Sequence, residues 1–280
     1  MSTSQESNPE YALGHSEHEI KRLGRQGDYF RDLTRDLFVR AGLQQGMRVL
    51  DYGGGAGDVA MLASEIVGAS GEVVSFDRSS EAVSKARARA AERGFGRIRF
   101  IEADEGTLGK VIGSARFDAV VGRLVLVFQK DPVAALRTVM SYAHAGGVVA
   151  FHEYDQDAGC WSRPQMPLFE QLFSWIIETF RRSGMVTDAG RVSRTFSEAG
   201  VQAMRIVREG QVSDGTDPLA HPFLVDIMRT MLPLAEKSGV TTAAQVQIET
   251  LLERLNEEST RTGARWIPAY MVAAWGRIPG

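Results

Sequence analysis

A single cysteine, Cys160, stands in the 280 residues, so the sequence offers neither an internal disulfide nor the thiolates of a zinc or iron–sulfur centre. That fits a reducing cytoplasm, and Cys160 reads as a small packed residue because nothing in the sequence places a base beside it. Long apolar runs are missing as well. No stretch approaches the roughly 18 uncharged residues of a membrane span, and Met1 to Glu10 lacks the basic start and apolar centre of a secretory leader. An excess of either charge is absent too. Against 35 acidic residues stand 32 basic ones, and a net charge of −3 is too balanced to draw the chain onto nucleic acid or an anionic membrane. Repeats and low-complexity blocks are lacking. What remains is the composition of an ordinary globular protein, 44% hydrophobic and 24% charged, which excludes disordered and fibrous classes. Its surplus is glycine, 29 residues where about 7% of a chain is usual.

From Arg48 to Tyr154 five short apolar runs alternate with helical segments. The runs are Arg48–Asp51, Glu72–Asp77, Ile98–Ile101, Phe117–Val121 and Gly147–His152. Runs that are apolar on both faces and separated by helices predict a parallel sheet covered on both sides. The intervening helices read as Val59–Val67, Glu81–Arg93 and Val133–Ala143, with Ser80 capping the second and Asp131-Pro132 starting the third. A doubly wound α/β domain is expected, its ligands lying at the carboxyl ends of the strands. Ahead of it, Ser16 and Glu19 make a capping box, and Ile20, Leu23, Phe30, Leu33 and Leu37 follow at the spacing of one amphipathic helix. Behind it, helices are expected over Phe169–Phe180, Arg191–Ala199, Thr216 to about Leu234, and from a Thr242/Gln245 cap to about Thr260. Strands are expected over Met204–Val212 and Trp266–Trp275.

Between the first run and the first helix lies Tyr52-Gly53-Gly54-Gly55-Ala56-Gly57-Asp58. Glycines there let the backbone turn sharply and let a ligand approach main-chain amides. A dinucleotide fingerprint, G-x-G-x-x-G, would place its third glycine where Asp58 stands, and a carboxylate at a helix amino terminus opposes a pyrophosphate. No Gly-Lys-Ser/Thr follows, so a P-loop is excluded. The expected ligand carries no phosphate. Asp77, ending the second run, suits two ribose hydroxyls, and Asp104, just past the third, suits the exocyclic amine of an adenine. Each acid alone also reads as a cap or a solvated strand end.

In this order, Asp51-x-Gly53-x-Gly55-x-Gly57, Asp77, Ala103-Asp104 and Val121-Gly122-Arg123-Leu124 resemble the motifs of the class I S-adenosylmethionine-dependent methyltransferases. The resemblance runs from about Arg48 to Tyr154, extends loosely to Gly200, and is greatest toward small-molecule enzymes of the ubiquinone/menaquinone type. It implies a mostly parallel, seven-stranded Rossmann-like sheet with helices on both faces. It also implies S-adenosylmethionine as cofactor and S-adenosylhomocysteine as product, held by Asp51, Gly53, Gly55, Gly57, Asp77, Arg78, Ala103, Asp104, Glu105 and Arg123. Tyr11-x-Leu13-Gly14 and Glu19-x-x-Arg22-Leu23-x-x-Gln26 are similar to an amino-terminal segment that closes over the cofactor in some members, which adds Tyr11 and Gln26. Tyr52, where a smaller residue is usual, and the long helical stretch before the last run depart from the pattern on the acceptor side.

Methyl transfer depends on alignment and exclusion of water, and a base is needed only when the acceptor arrives protonated. The candidates are His152 and Glu153 at the carboxyl end of the fifth run. Alternation puts His152 and Tyr154 on one face and Glu153 on the other. Glu153, Asp155 and Asp157 could gather a magnesium ion, but acidic loops are common and no metal is expected. All four tryptophans, Trp161, Trp175, Trp266 and Trp275, follow the sheet core, either as plain packing or as part of a cap over an apolar acceptor. Tyr154, Trp161, Trp175 and His221 are the expected acceptor contacts. The expected organisation is lid helices over 1–45, a cofactor domain over 46–215 and 264–280, and a helical cap over 216–263 to which 155–185 contributes. The expected activity is methyl transfer to an O, N or C atom of a small, largely apolar metabolite of secondary metabolism, in the cytoplasm and without nucleic acid or membrane. A homodimer stays open. The alternatives are a protein of this fold that binds the cofactor without transferring its methyl, as a cyclase would, and more remotely a nicotinamide-dependent oxidoreductase.

Overall fold

The computed structural model describes residues 17–280, with side chains from residue 22 onward, so Tyr11 and the Ser16 cap lie outside the described residues. Two helices, α1 (Glu17–Tyr29) and α2 (Arg31–Ala41), precede β1 (Arg48–Tyr52). The wound part continues through α3 (Asp58–Val67), β2 (Glu72–Asp77), α4 (Ser80–Glu92), β3 (Arg99–Glu102), α5 (Leu108–Ile112) and β4 (Phe117–Arg123). A 3₁₀ turn (Leu126–Phe128), α6 (Pro132–Met140) and β5 (Ala143–Tyr154) complete it. Then follow β6 (Trp161–Arg163), α7 (Pro167–Arg182), α8 (Ala189–Glu198), β7 (Gln202–Glu209), α9 (Ala220–Lys237), α10 (Ala243–Val246), α11 (Leu251–Thr262), β8 (Arg265–Ile267) and β9 (Met271–Arg277).

Seven strands form one sheet in the order β3-β2-β1-β4-β5-β9-β7, and a separate pair joins β6 to β8. Neighbours from β3 to β5 run parallel, and β9 runs antiparallel to both β5 and β7. The doubly wound, mostly parallel α/β architecture expected from the alternating runs is therefore the one observed. Because the central strands are apolar on both faces, the sheet needs two covers. Leu37, Phe38, Ala60, Val83 and Ala86 of α2, α3 and α4 cover one face. Leu108, Leu136, Val139, Val192 and Phe196 of α5, α6 and α8 cover the other. A third core lies beyond the sheet, where α1, α7, α9 and α11 surround Phe169, Phe223, Met228 and Trp266.

Several boundaries differ from the sequence reading, each for a local reason. Ser79, not Ser80, caps α4, because Ser79 has the extended backbone of a cap and its hydroxyl accepts from Ala82 N. Asp131 does cap α6. The amino-terminal helix is two helices, broken at Phe30, whose ring is buried among Tyr29, Tyr154 and Phe223. The Thr242/Gln245 capping box forms, but it starts only the four residues of α10. Gln247 turns left-handed, and Arg254 takes the carbonyls of Val246 and Gln247, so α11 begins anew. The final apolar run splits into β8 and β9 around Pro268, which has no amide hydrogen for a ladder.

Candidate functional site

At the carboxyl ends of β1 to β5 a cavity of about 300 Å³ opens between the sheet and α1, α7 and α9. Its sheet side begins with the glycine turn after β1. Gly53, Gly55 and Gly57 all have positive φ. A Cβ on Gly53 would lie 2.5 Å from Val125 Cγ2, and one on Gly54 would overlap Ser75 Oγ, so the turn closes on its neighbours only without side chains. Gly53, Gly54 and Gly55 line the cavity, whereas Gly57 is the residue before α3, where a Cβ would lie 3.2 Å from Ala86 and Phe100. Asp51, expected at the ligand, sits beneath the turn: it is fully buried and accepts from Ser75 Oγ at 2.8 Å. Burial pushes its carboxyl up to about 7, against the hydrogen bond from Ser75.

Asp77 lies on the cavity wall, with Oδ2 accepting from Gly55 N at 3.0 Å and Oδ1 from Ser79 N at 2.9 Å. It ties the glycine turn to the start of α4 and keeps lone pairs for a ligand. Arg78, Ala103, Asp104 and Glu105 join the same wall. Asp104 also closes its own turn: Thr107 N and Oγ1 both donate to its Oδ1 at 2.7 Å and hold its carboxyl below the usual range. The capping and ligand readings of Asp104 are compatible. Tyr52 stacks on Phe76 with ring centroids 5.2 Å apart and donates its hydroxyl to Glu105, so the residue departing from the motif braces the wall. Asp58 borders the cavity too, but its carboxylate is held in a two-pronged pair with Arg89 at 3.0 and 3.1 Å. A Cβ on Gly27 would overlap the Asp58 carboxyl, so that glycine is what lets α1 close down on α3.

The opposite wall comes from helices. Arg22, Leu23 and Gln26 of α1 face the cavity, with Arg22 Nη1 donating to Gln26 Oε1 at 2.8 Å. Phe180 of α7, Ile227, Thr230 and Met231 of α9, and Leu124, Val127 and Phe128 after β4 make the rest largely apolar. Leu124 has a positive φ of 53°, and its loop is pinned from behind by Glu153 Oε1, which accepts from Val125 N and Leu126 N at 3.0 Å each. Burial raises the Glu153 carboxyl to about 7, against those amide bonds.

His152 and Glu153, the sequence candidates for a base, do not line the cavity. Alternation along β5 sends Glu153 under the Leu124 loop and His152 toward Thr34 and Glu209, and both side chains are fully buried. Tyr154, the next residue on the His152 side, does reach the cavity. Of the other acceptor candidates, Trp161 lies in the β6–β8 pair and Trp175 packs against the helical core. His221 bonds Asn256 at 2.7 Å and stacks on Trp266, and none of these three lines the cavity. Glu153, Asp155 and Asp157 diverge, to the Leu124 loop, to Arg208 and to Arg181. Phe180, Ile227, Thr230 and Met231 escaped the sequence reading. The only sequence signal was the spacing of the last three along one helix face.

A family model described as a methyltransferase domain matches residues 43–200. Aklanonic acid methyltransferase DauC of Streptomyces sp. (strain C5) is 33% identical over 140 residues, 50% of this chain and 62% of that protein. The ubiquinone/menaquinone biosynthesis C-methyltransferase UbiE of Pseudomonas putida is 32% identical over 166 residues, 55% of this chain and 63% of that protein. The chain thus spans less than two thirds of the length of these relatives. Among solved structures, the [4+2]-cyclase SpnF shares the fold with a TM-score of 0.52 at 18% identity, over 89% of this chain and 82% of that one.

Proposed function

Since this chain belongs to the methyltransferase-domain family, we propose that it transfers a methyl group from S-adenosylmethionine to a small, largely apolar metabolite. The observation that carries the reading is the cavity itself, in which a side-chain-free turn and the Asp77 carboxylate face an apolar helical wall. The residues present fit the cofactor. The turn at Gly53–Gly55 admits close approach to backbone amides, Asp77 suits the ribose hydroxyls, and Arg78, Ala103 and Asp104 suit the adenine. Gln26 and Arg123 stand at the end left for the amino-acid portion. When bound, the cofactor supplies a methyl on a sulfonium, which leaves as the new bond forms and the sulfur becomes a thioether.

The chain's own contribution is alignment and the exclusion of water, which together are worth on the order of 7 to 11 kcal/mol. Leu23, Leu124, Phe180, Ile227 and Met231 build the dry side on which the acceptor would lie, and Tyr154 brings a hydroxyl to its edge. In this reading the helices over 216–263, with 155–185, form a cap that selects the acceptor. The single cysteine and the balanced charge support a cytoplasmic enzyme acting on small molecules rather than on nucleic acid. Among the described residues no helix is long and apolar enough to cross a membrane.

Methyl-labelled cofactor, offered with a panel of apolar aromatic metabolites that includes aklanonic acid, tests the proposal. Label in the product together with S-adenosylhomocysteine is the expected result. The likeness to SpnF favours one rival, a cyclisation in which the cofactor is bound but unspent, and a converted substrate without label would establish it.

A further inference from the structure

Arg123 ends β4 on the cavity wall, and its Nη1 donates to Thr34 Oγ1 at 3.2 Å. Thr34 is fully buried on α2, and its hydroxyl stands 3.1 Å from His152 Nδ1. The other ring nitrogen, Nε2, lies 3.3 Å from Glu209 Oε1, and Glu209 Oε2 takes Arg40 Nη2 at 2.5 Å. Arg123, Thr34, His152, Glu209 and Arg40 therefore form a string from the cavity to the last turn of α2, where Arg40 lies.

Proton placement gives this line a direction. Burial holds the His152 imidazole below its ordinary range, opposed by Glu209 and reinforced by Arg123 and Arg40. Burial pushes the Glu209 carboxyl up, but His152 and Arg40 outweigh it and keep the group below its usual range. A neutral ring carries one proton, and no hydrogen bond joins Nε2 to Glu209, which leaves Nδ1 to bond Thr34. Thr34 gives its single hydroxyl proton to the Phe30 carbonyl at 2.8 Å and turns its lone pairs toward His152 Nδ1 and Arg123. The same carbonyl has a second lone pair, which accepts from Thr34 N at 2.9 Å. Held this way, the guanidinium spends one donor on Thr34 and keeps the others for the cavity.

We propose that Thr34 and His152 are positioning residues that fix Arg123 from below, so that its remaining donors meet the carboxylate at the amino-acid end of the cofactor. This rests on the cavity being the S-adenosylmethionine site. His152 thereby acts three hydrogen bonds away from the ligand and not as a base.

The test is calorimetric titration of the full chain with S-adenosylhomocysteine and with 5′-methylthioadenosine, which keeps the nucleoside and sulfur but has no carboxylate. Thr34→Val and His152→Leu are each expected to weaken S-adenosylhomocysteine about tenfold while leaving 5′-methylthioadenosine within about twofold. Thr34→Ser, which keeps the hydroxyl, should restore the loss. The double variant should be no weaker than either single one, because both cut one line. Equal weakening of both ligands would mark a structural role only, and unchanged binding of both would show that Arg123 needs no such support; either result overturns the proposal. A wild-type chain that binds neither ligand would instead remove the cofactor reading on which the proposal stands.

Discussion

The sheet wall of the cavity is assembled from short loops that follow β1, β2 and β3, and it works through turn geometry and two acids. The helical wall draws Leu23 and Gln26 from α1, Phe180 from α7 and Ile227, Thr230 and Met231 from α9, residues up to about two hundred positions apart. In the first wall each contact depends on its immediate neighbours, and room is so short that Gly53 and Gly54 admit no methyl group. In the second wall the contacts are apolar side chains on packed helices, which can change size without moving the backbone that holds them. One wall should therefore be intolerant and common to any acceptor, and the other tolerant and specific.

The sharpest way to break that contrast is Gly54→Ala. Its Cβ would displace Ser75 Oγ and strip Asp51 of its hydrogen bond, so binding of S-adenosylhomocysteine should fall below detection in calorimetry. Retained binding would show that the turn is more pliable than its packing implies.

At the seam between the walls sits Glu153, whose carboxyl is raised from an ordinary 4.5 to about 7. A carboxyl raised in the fold is stabilising while protonated, and that contribution disappears as pH climbs from its unfolded value through about 7. Relative to Glu153→Gln, the wild type should therefore lose stability between about pH 4.5 and 7 and level off above, by up to about 3 kcal/mol at about 1.4 kcal/mol per pH unit. Denaturant melts of the pair across this range will show it; parallel curves would mean that the buried carboxyl stays ionised throughout.

Asp77→Ala should weaken S-adenosylhomocysteine about 10- to 100-fold, since a charged acceptor is lost together with the tie between Gly55 and Ser79. On the helical wall the outcome should invert. Ile227→Ala and Met231→Ala should leave cofactor affinity within about twofold and shift KM among acceptors of different bulk, each lost aliphatic group being worth roughly 1 to 3 kcal/mol of discrimination. The smallest effect concerns a boundary. Ser79→Ala should cost about 1 kcal/mol as a lost cap, whereas Ser80→Ala should cost almost nothing, a difference that thermal unfolding resolves.

The same contrast explains what the sequence revealed. Alternating apolar runs, the glycine turn, Asp77 and Asp104 are local patterns, and they placed the sheet wall residue by residue. Asp51 misled because a motif position says nothing of depth, and it lies beneath the turn it helps to define. His152 and Glu153 were correctly put on opposite faces of β5, yet alternation alone cannot say that Thr34 and the Leu124 loop already occupy those faces. Trp161, Trp175 and His221 drew notice by residue type, but large rings serve the helical core as well as a ligand. Phe180 and Ile227 line one cavity from 47 positions apart, a juxtaposition with no local trace.

The place of β9 has a consequence for how the molecule is made. It is the last strand in chain order, yet it lies between β5 and β7, paired with Val148 to Tyr154 on one side and with Gln202 to Glu209 on the other. A growing chain that has finished every loop of the sheet wall still presents the apolar edge of β5, open to any passing strand, until Met271–Arg277 emerges and slots in. Sheet closure must therefore be a late, long-range event, and protection of the nascent edge rather than strand formation should govern how much folded protein a cell obtains.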